Sequence, residues 1–217
     1  MKGDILIINK NHIKAATQIL DLIFQKIIDS KNKFIITIAG ESGSGKSEIA
    51  ESVANLLDKK NIKSFIFQQD DYFVYPPKTN AEIRKESINY VGISEVRINL
   101  INKEIKEILH GKNEITKPLV IFDENRIDSE TIDLDETKVI IIEGTYTTIL
   151  KNVNQHIFID RNYIDTLKSR EKRNREKQDD LLEKILLIEH EIISSHKSKS
   201  DIIVTKDYNI IKGDSNE

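Results

Sequence analysis

The residues with the clearest chemical meaning are Gly40-Glu41-Ser42-Gly43-Ser44-Gly45-Lys46-Ser47, a full match to G-x-x-x-x-G-K-[ST]. Glycines at these places let a backbone wrap a phosphate with its N–H groups, and the helix that follows adds about half a positive charge at its N-terminus. Lys46 is expected to reach the β- and γ-phosphates of a nucleotide and Ser47 to ligate Mg²⁺, with Glu48 completing the nucleotide-binding run. Two acidic sites accompany the loop. One is Gln69-Asp70-Asp71-Tyr72-Phe73, where a carboxylate could take the proton of an acceptor hydroxyl and help hold Mg²⁺ through water. The other is Glu143, which closes the apolar run Ile140-Ile141-Ile142 and is expected opposite Ser47, orienting metal-bound water. Guanine reading is not expected. The Asn-Lys pairs at Asn9, Asn32 and Asn102 lack the Asp that such a motif needs.

These groups need a scaffold that brings strand ends together. Residues 34–39 (FIITIA) read as a strand buried on both faces, with the phosphate loop directly after it and a helix over about 46–59. A second strand is expected at about 63–69, after which Pro76 and Pro77 stop regular structure. Helical periodicity spans 13–28 and 95–110, the latter with Gly111 as C-cap. Further strands are expected at 119–122, 138–142, 156–159 and 202–204, and a charged helical region at about 162–196. Alternating strands and helices imply a mainly parallel sheet, whose strand C-termini converge on a ligand crevice.

Composition narrows the field further. The 217 residues carry 33 Lys and Arg against 36 Asp and Glu, a net charge of −3 that argues against binding nucleic acid by bulk charge. There is no Cys, which removes disulfides, thiolate metal sites and thiol nucleophiles. No apolar run approaches the roughly 20 residues that span a bilayer, so a cytoplasmic chain without a membrane partner is expected.

The phosphate loop, the Gln-Asp-Asp-Tyr-Phe run, the Ile-Ile-Glu-Gly strand, Phe158-Ile159-Asp160 and Lys199-Ser200-Asp201-Ile202-Ile203 resemble the uridine kinase and phosphoribulokinase family in order and spacing, over about residues 34–204. The resemblance implies an α/β P-loop NTPase fold: one domain over 1–217, a central, mainly parallel β-sheet flanked by helices, a C-terminal helical lid over about 162–196 and an N-terminal helical extension over 1–33. It implies an ATP- and Mg²⁺-dependent kinase acting on a hydroxyl, with Asp70 as catalytic base and Lys46, Arg170 and Arg173 at the transferred phosphate. Arg175 lies in the same lid segment. Ser47, Asp70 and Glu143 are the implied metal residues, and Asp71, Tyr72, Tyr90, Phe122, Asp123 and Arg126 the implied acceptor residues.

The implied acceptor is a nucleoside such as uridine or cytidine. One departure bears on this: Val91 stands where the family places an Asp that contacts the ribose hydroxyls, so Glu95 or Asp123 would replace it, or the acceptor is not a nucleoside. Pantothenate, a sugar, a sugar phosphate or a sugar nucleotide are the alternatives, as is a nucleotide-binding regulator that transfers nothing. Lys78 and Arg84 would favour an anionic acceptor if they face the ligand, although surface positions are expected for both. Expected partners are thus a small molecule, neither nucleic acid nor membrane, with a homo-oligomer left open. Glu189-His190-Glu191 reads as a solvated helix face, and His12, His110, His156 and His196 show no ligand spacing.

Overall fold

The computed structural model describes residues 6–173 and 179–213, without the side chains of 172 and 173. Six strands form the central sheet, in the order β2 (Ser64–Gln68), β5 (Val139–Glu143), β1 (Phe34–Gly40), β6 (Gln155–Ile159), β7 (Ile202–Val204) and β8 (Ile210–Lys212). The first five are parallel, and β8 returns antiparallel to β7. Both faces of β1 are covered. Ile36 and Ile38 pack towards α1 (Lys10–Asp29) and α2 (Lys46–Asp58), while Ile35 and Ala39 pack towards α4 (Ile98–Leu109). That two-sided burial is why this strand reads as an unbroken apolar run.

Several sequence expectations change. The N-terminal segment is helical as expected, and α1 packs into the main core, burying Ala15, Ala16, Ile19, Leu20, Ile23 and Ile27. The prolines do not stop regular structure; Pro77 opens α3 (Pro77–Glu86), at the helical position where a missing N–H is tolerated. The strand expected at 119–122 lies outside the central sheet, in an antiparallel hairpin of β3 (Glu114–Ile121) and β4 (Arg126–Asp133). The helix expected from residue 95 starts at Ile98, after a 3-10 turn over Ile93–Glu95.

The charged C-terminal region is two helices, α5 (Leu167–Arg173) and α6 (Asp180–Ser194). Asp179 caps α6, accepting from the Leu182 amide, and Leu182, Ile185, Leu186, Glu189 and Ile193 form its buried stripe. His196 follows the helix and is buried; burial, and then the charge of Lys199, lower its pKa to about 4. The unfolded chain therefore takes up a proton near pH ~6.5 that the folded chain refuses until about 4, so stability is whole above that window and falls as pH drops through it. Between pH ~7.5 and ~5 the wild type should lose up to about 2 kcal/mol more than His196→Phe, as read by urea unfolding at both values.

Candidate active site

The phosphate loop links β1 to α2. Gly45 holds φ at +100°, a left-handed conformation that side chains rarely adopt, and α2 begins at the next residue with no side-chain cap on its N–H groups. Lys46 bends back so that Nζ donates to the Glu41 carbonyl at 3.0 Å. Ser47 Oγ donates to Glu143 Oε1 at 3.1 Å. Register makes that contact: Glu143 pairs with Ile38 of β1 on one side and Gln68 of β2 on the other, so three strand ends meet at one place. Burial, and then the charge of Asp70, push the Glu143 carboxyl up; Lys46 and the Ser47 hydrogen bond oppose them.

Asp70 and Asp71 sit in a 3-10 turn, Gln69–Tyr72, that follows β2. Successive residues of such a turn point about 120° apart. Asp70 is half-buried, makes no hydrogen bond or ion pair among the described residues, and shares its field with Glu143. Asp71 is buried against the hairpin, where Oδ2 meets Lys117 Nζ at 2.8 Å and Oδ1 accepts the Val120 amide at 3.0 Å. Tyr72 is fully buried and donates to Glu104, whose carboxyl burial pushes up to about 7. The acceptor roles expected for Asp71 and Tyr72 are therefore corrected, because both side chains hold the turn to the hairpin and α4.

Three more of the implied acceptor residues lie at the hairpin tip. Arg126 is exposed and paired with Glu124 and Asp128 of its own hairpin. The Asp123 carbonyl accepts from Lys78 Nζ at 3.3 Å, and half-buried Phe122 opens the turn. Asn125 instead caps α3, its Oδ1 accepting the amides of Lys78 and Thr79. The Tyr90 ring lies 6.1 Å from that of Tyr75.

Arg170 lies over the loop, its Cγ 2.9 Å from where a Cβ on Gly43 would stand, and its guanidinium donates to the Tyr163 carbonyl and Thr166 Oγ1. The side chain of Arg173 and the whole of Arg175 fall outside the described residues. Ser42 is half-buried at the loop's tip. Gly40 packs on Ser44 and Ile159, the Ser44 amide donates to the Glu41 carbonyl at 3.1 Å, and Glu48 is buried in the first turn of α2.

The sequence reading missed several contacts. His190 is no solvated surface group: its Nδ1 lies 2.6 Å from Glu41 Oε1 and ties α6 to the phosphate loop. Neighbouring Glu189 meets Arg84 at 3.1 Å, and Arg84 also grips Glu95. The clue was the spacing of Leu182, Ile185, Leu186, Glu189 and Ile193, which sets Glu189 on an apolar stripe. His12 sits 3.1 Å from where a Gly45 Cβ would stand and 3.3 Å from the Tyr208 hydroxyl, which Arg161 also reaches. At Gly144 a Cβ would come within 2.2 Å of Gln69 Cβ, beside Asp70. Gly144→Ala is expected to lose about 1–3 kcal/mol, measured by thermal denaturation.

The donor set fits the groups the sequence implied. A serine hydroxyl and a carboxylate are hard oxygens suited to Mg²⁺, and no cluster of three His, Asp or Glu among the described residues would cage a metal. Such a cation would keep water and phosphate oxygens as its other ligands. The loop, with uncapped amides and Lys46 spanning it, fits a polyphosphate.

Comparison with known proteins agrees. The uridine kinase of Ureaplasma parvum is 32% identical over 129 residues, 59% of this chain and 60% of that protein, so the chain spans under two thirds of that relative's length. A bifunctional alpha-galactosidase/sucrose kinase of Mediterraneibacter gnavus is 25% identical over 193 residues, covering 82% of this chain and 21% of that protein. Among solved structures, phosphoribulokinase from Rhodobacter spheroides superposes with a TM-score of 0.62 at 12% identity, over 81% of this chain and 71% of that one, which speaks for the fold. The model of the phosphoribulokinase / uridine kinase family matches residues 35–178, and with that match and the loop geometry in place, the chain belongs to this family.

Proposed function

We propose that the chain is an ATP- and Mg²⁺-dependent kinase that transfers the γ-phosphoryl group to a hydroxyl of a small-molecule acceptor. The convergence of Lys46, the Ser47–Glu143 pair and Asp70 on adjoining strand ends is the observation that carries it. In this reading Asp70 accepts the hydroxyl proton, an acceptor O–P bond forms, and the bond from the γ-phosphorus to the bridging oxygen breaks to release ADP. Lys46 and the loop amides from Gly40 to Glu48 hold the polyphosphate; Arg170 and Arg173 neutralise charge on the phosphoryl oxygens. Ser47 and Glu143, with Asp70 acting through water, would hold Mg²⁺, which would supply positive charge against the phosphate oxygens.

A nucleoside acceptor is supported by the uridine kinase relative. A sugar is the second reading. It is favoured by Val91 at the position of the ribose-binding Asp, by the engagement of Glu95 with Arg84, and by the broader coverage of the sucrose kinase relative. Coupled ADP release against nucleosides, sugars, pantothenate and sugar phosphates tests the proposal. Acceptor-dependent turnover above water hydrolysis is expected, and its absence with every acceptor would overturn it.

A further inference from the structure

A second polar cluster adjoins the catalytic turn. Arg84 grips both oxygens of Glu95, with Nε to Oε1 at 2.5 Å and Nη2 to Oε2 at 3.0 Å, and reaches Glu189 at 3.1 Å. Glu95 is wholly buried and accepts two more hydrogen bonds, from Asn80 Nδ2 at 2.9 Å and the Gly92 amide at 2.7 Å. Arg84 is thus already engaged by two carboxylates before any acceptor arrives.

Around this core three buried polar atoms have no hydrogen-bond partner among the described residues: Asn80 Oδ1, the Tyr90 hydroxyl and the Tyr146 hydroxyl. The phenols of Tyr90 and Tyr146 are both pushed up, by burial first and next by carboxylates of the cluster, Glu95 for Tyr90 and Glu189 with Glu95 for Tyr146. The cluster is tied to both halves of the site. The Tyr146 amide donates to Gln69 Oε1 at 2.8 Å, directly before Asp70, and Glu189 precedes His190, which is bonded to Glu41 of the phosphate loop.

Buried polar atoms without partners are rare in folded proteins, and each asks for a water or a ligand group. An amide oxygen and two phenols complement hydroxyl groups, which donate and accept equally well. An anion gains little here. To bind Arg84 it would have to break a bidentate fork and strand Glu95 in the interior without its countercharge.

We propose that Asn80, Tyr90 and Tyr146 hydrogen-bond the hydroxyls of an uncharged polyol acceptor, a sugar or nucleoside, and that the Glu95–Arg84–Glu189 relay turns away phosphorylated and carboxylated acceptors. The inference rests on the kinase reading for its chemistry but not for its binding. It also reverses what an arginine in this segment suggests from sequence, since Arg84 is the neutralised scaffold of the subsite.

Thermal shift with a non-hydrolysable ATP analogue tests it on matched pairs: ribose and ribose 5-phosphate, uridine and its 5′-monophosphate, glucose and glucose 6-phosphate, panthenol and pantothenate. An uncharged member should raise the melting temperature and its anionic counterpart should not. Tyr146→Phe and Tyr90→Phe delete hydroxyls that have no partner among the described residues, so the apo melting temperature should hold or rise. The same variants should raise the acceptor KM at least about tenfold, the scale of one lost hydrogen bond, with kcat little changed. A larger shift from an anionic member, no shift from any uncharged one, or two Phe variants that bind like the wild type would each overturn the inference. Polyol binding without ADP release would leave it standing and defeat the kinase reading; phosphorylation of an anionic acceptor alone would do the reverse.

Discussion

Asp70→Asn is expected to bind ATP as the wild type does and to transfer phosphate at least about 100-fold more slowly, the scale of a lost general base. Asp70 lies half-buried in the crevice without a hydrogen-bond partner among the described residues, so no structural contact there depends on its charge. The amide fills the same volume but cannot take a proton. Removing one of two neighbouring carboxylates also lowers the repulsion felt by Glu143, so nucleotide affinity should not weaken. Single-turnover transfer beside equilibrium binding of an ATP analogue separates the two effects. Near-wild-type transfer would remove Asp70 from the base role.

One residue further on, the expected result inverts. Asp71→Ala takes from Lys117 its buried countercharge, in an interior where the two side chains are 3% and 2% exposed, and it also removes the acceptor for the Val120 amide. Breaking one partner of such a buried pair costs about 3–5 kcal/mol, here a fall in melting temperature on the order of 10 °C. Lys117 keeps a contact with Glu130 at 2.7 Å, which holds the ammonium in place but does not replace the pin between hairpin and turn. Urea unfolding reads the loss. The acceptor KM of the folded fraction should stay within about twofold, since the side chain faces away from the crevice; a raised KM with unchanged stability would return Asp71 to the acceptor site.

These neighbours show what the sequence could and could not disclose. The phosphate loop and Glu143 were legible because a local motif, or a strand end, fixes where each side chain goes, whereas the choice of Asp70 over its neighbour came from the family resemblance. The unbroken apolar runs of β1 and β5 identified strands covered on both faces. Asp71 could not be told from Asp70, because a 3-10 turn swings adjacent side chains apart and the partner, Lys117, is 46 residues away in sequence. Strand β4 (RIDSETID) was illegible for a different reason. It belongs to a two-stranded hairpin that buries Ile132 and little else, so it carries no apolar alternation. The His190–Glu41 contact was hidden by its charged surroundings, although the stripe containing Glu189 marked the inward face of α6.

The most direct test of phosphoryl transfer at this site is ³¹P NMR of the protein with ATP, Mg²⁺ and an uncharged polyol. A phosphate-monoester resonance growing as the γ-phosphate of ATP disappears, and failing to grow with Asp70→Asn, is the expected result. Inorganic phosphate as the sole new resonance with every acceptor would contradict it.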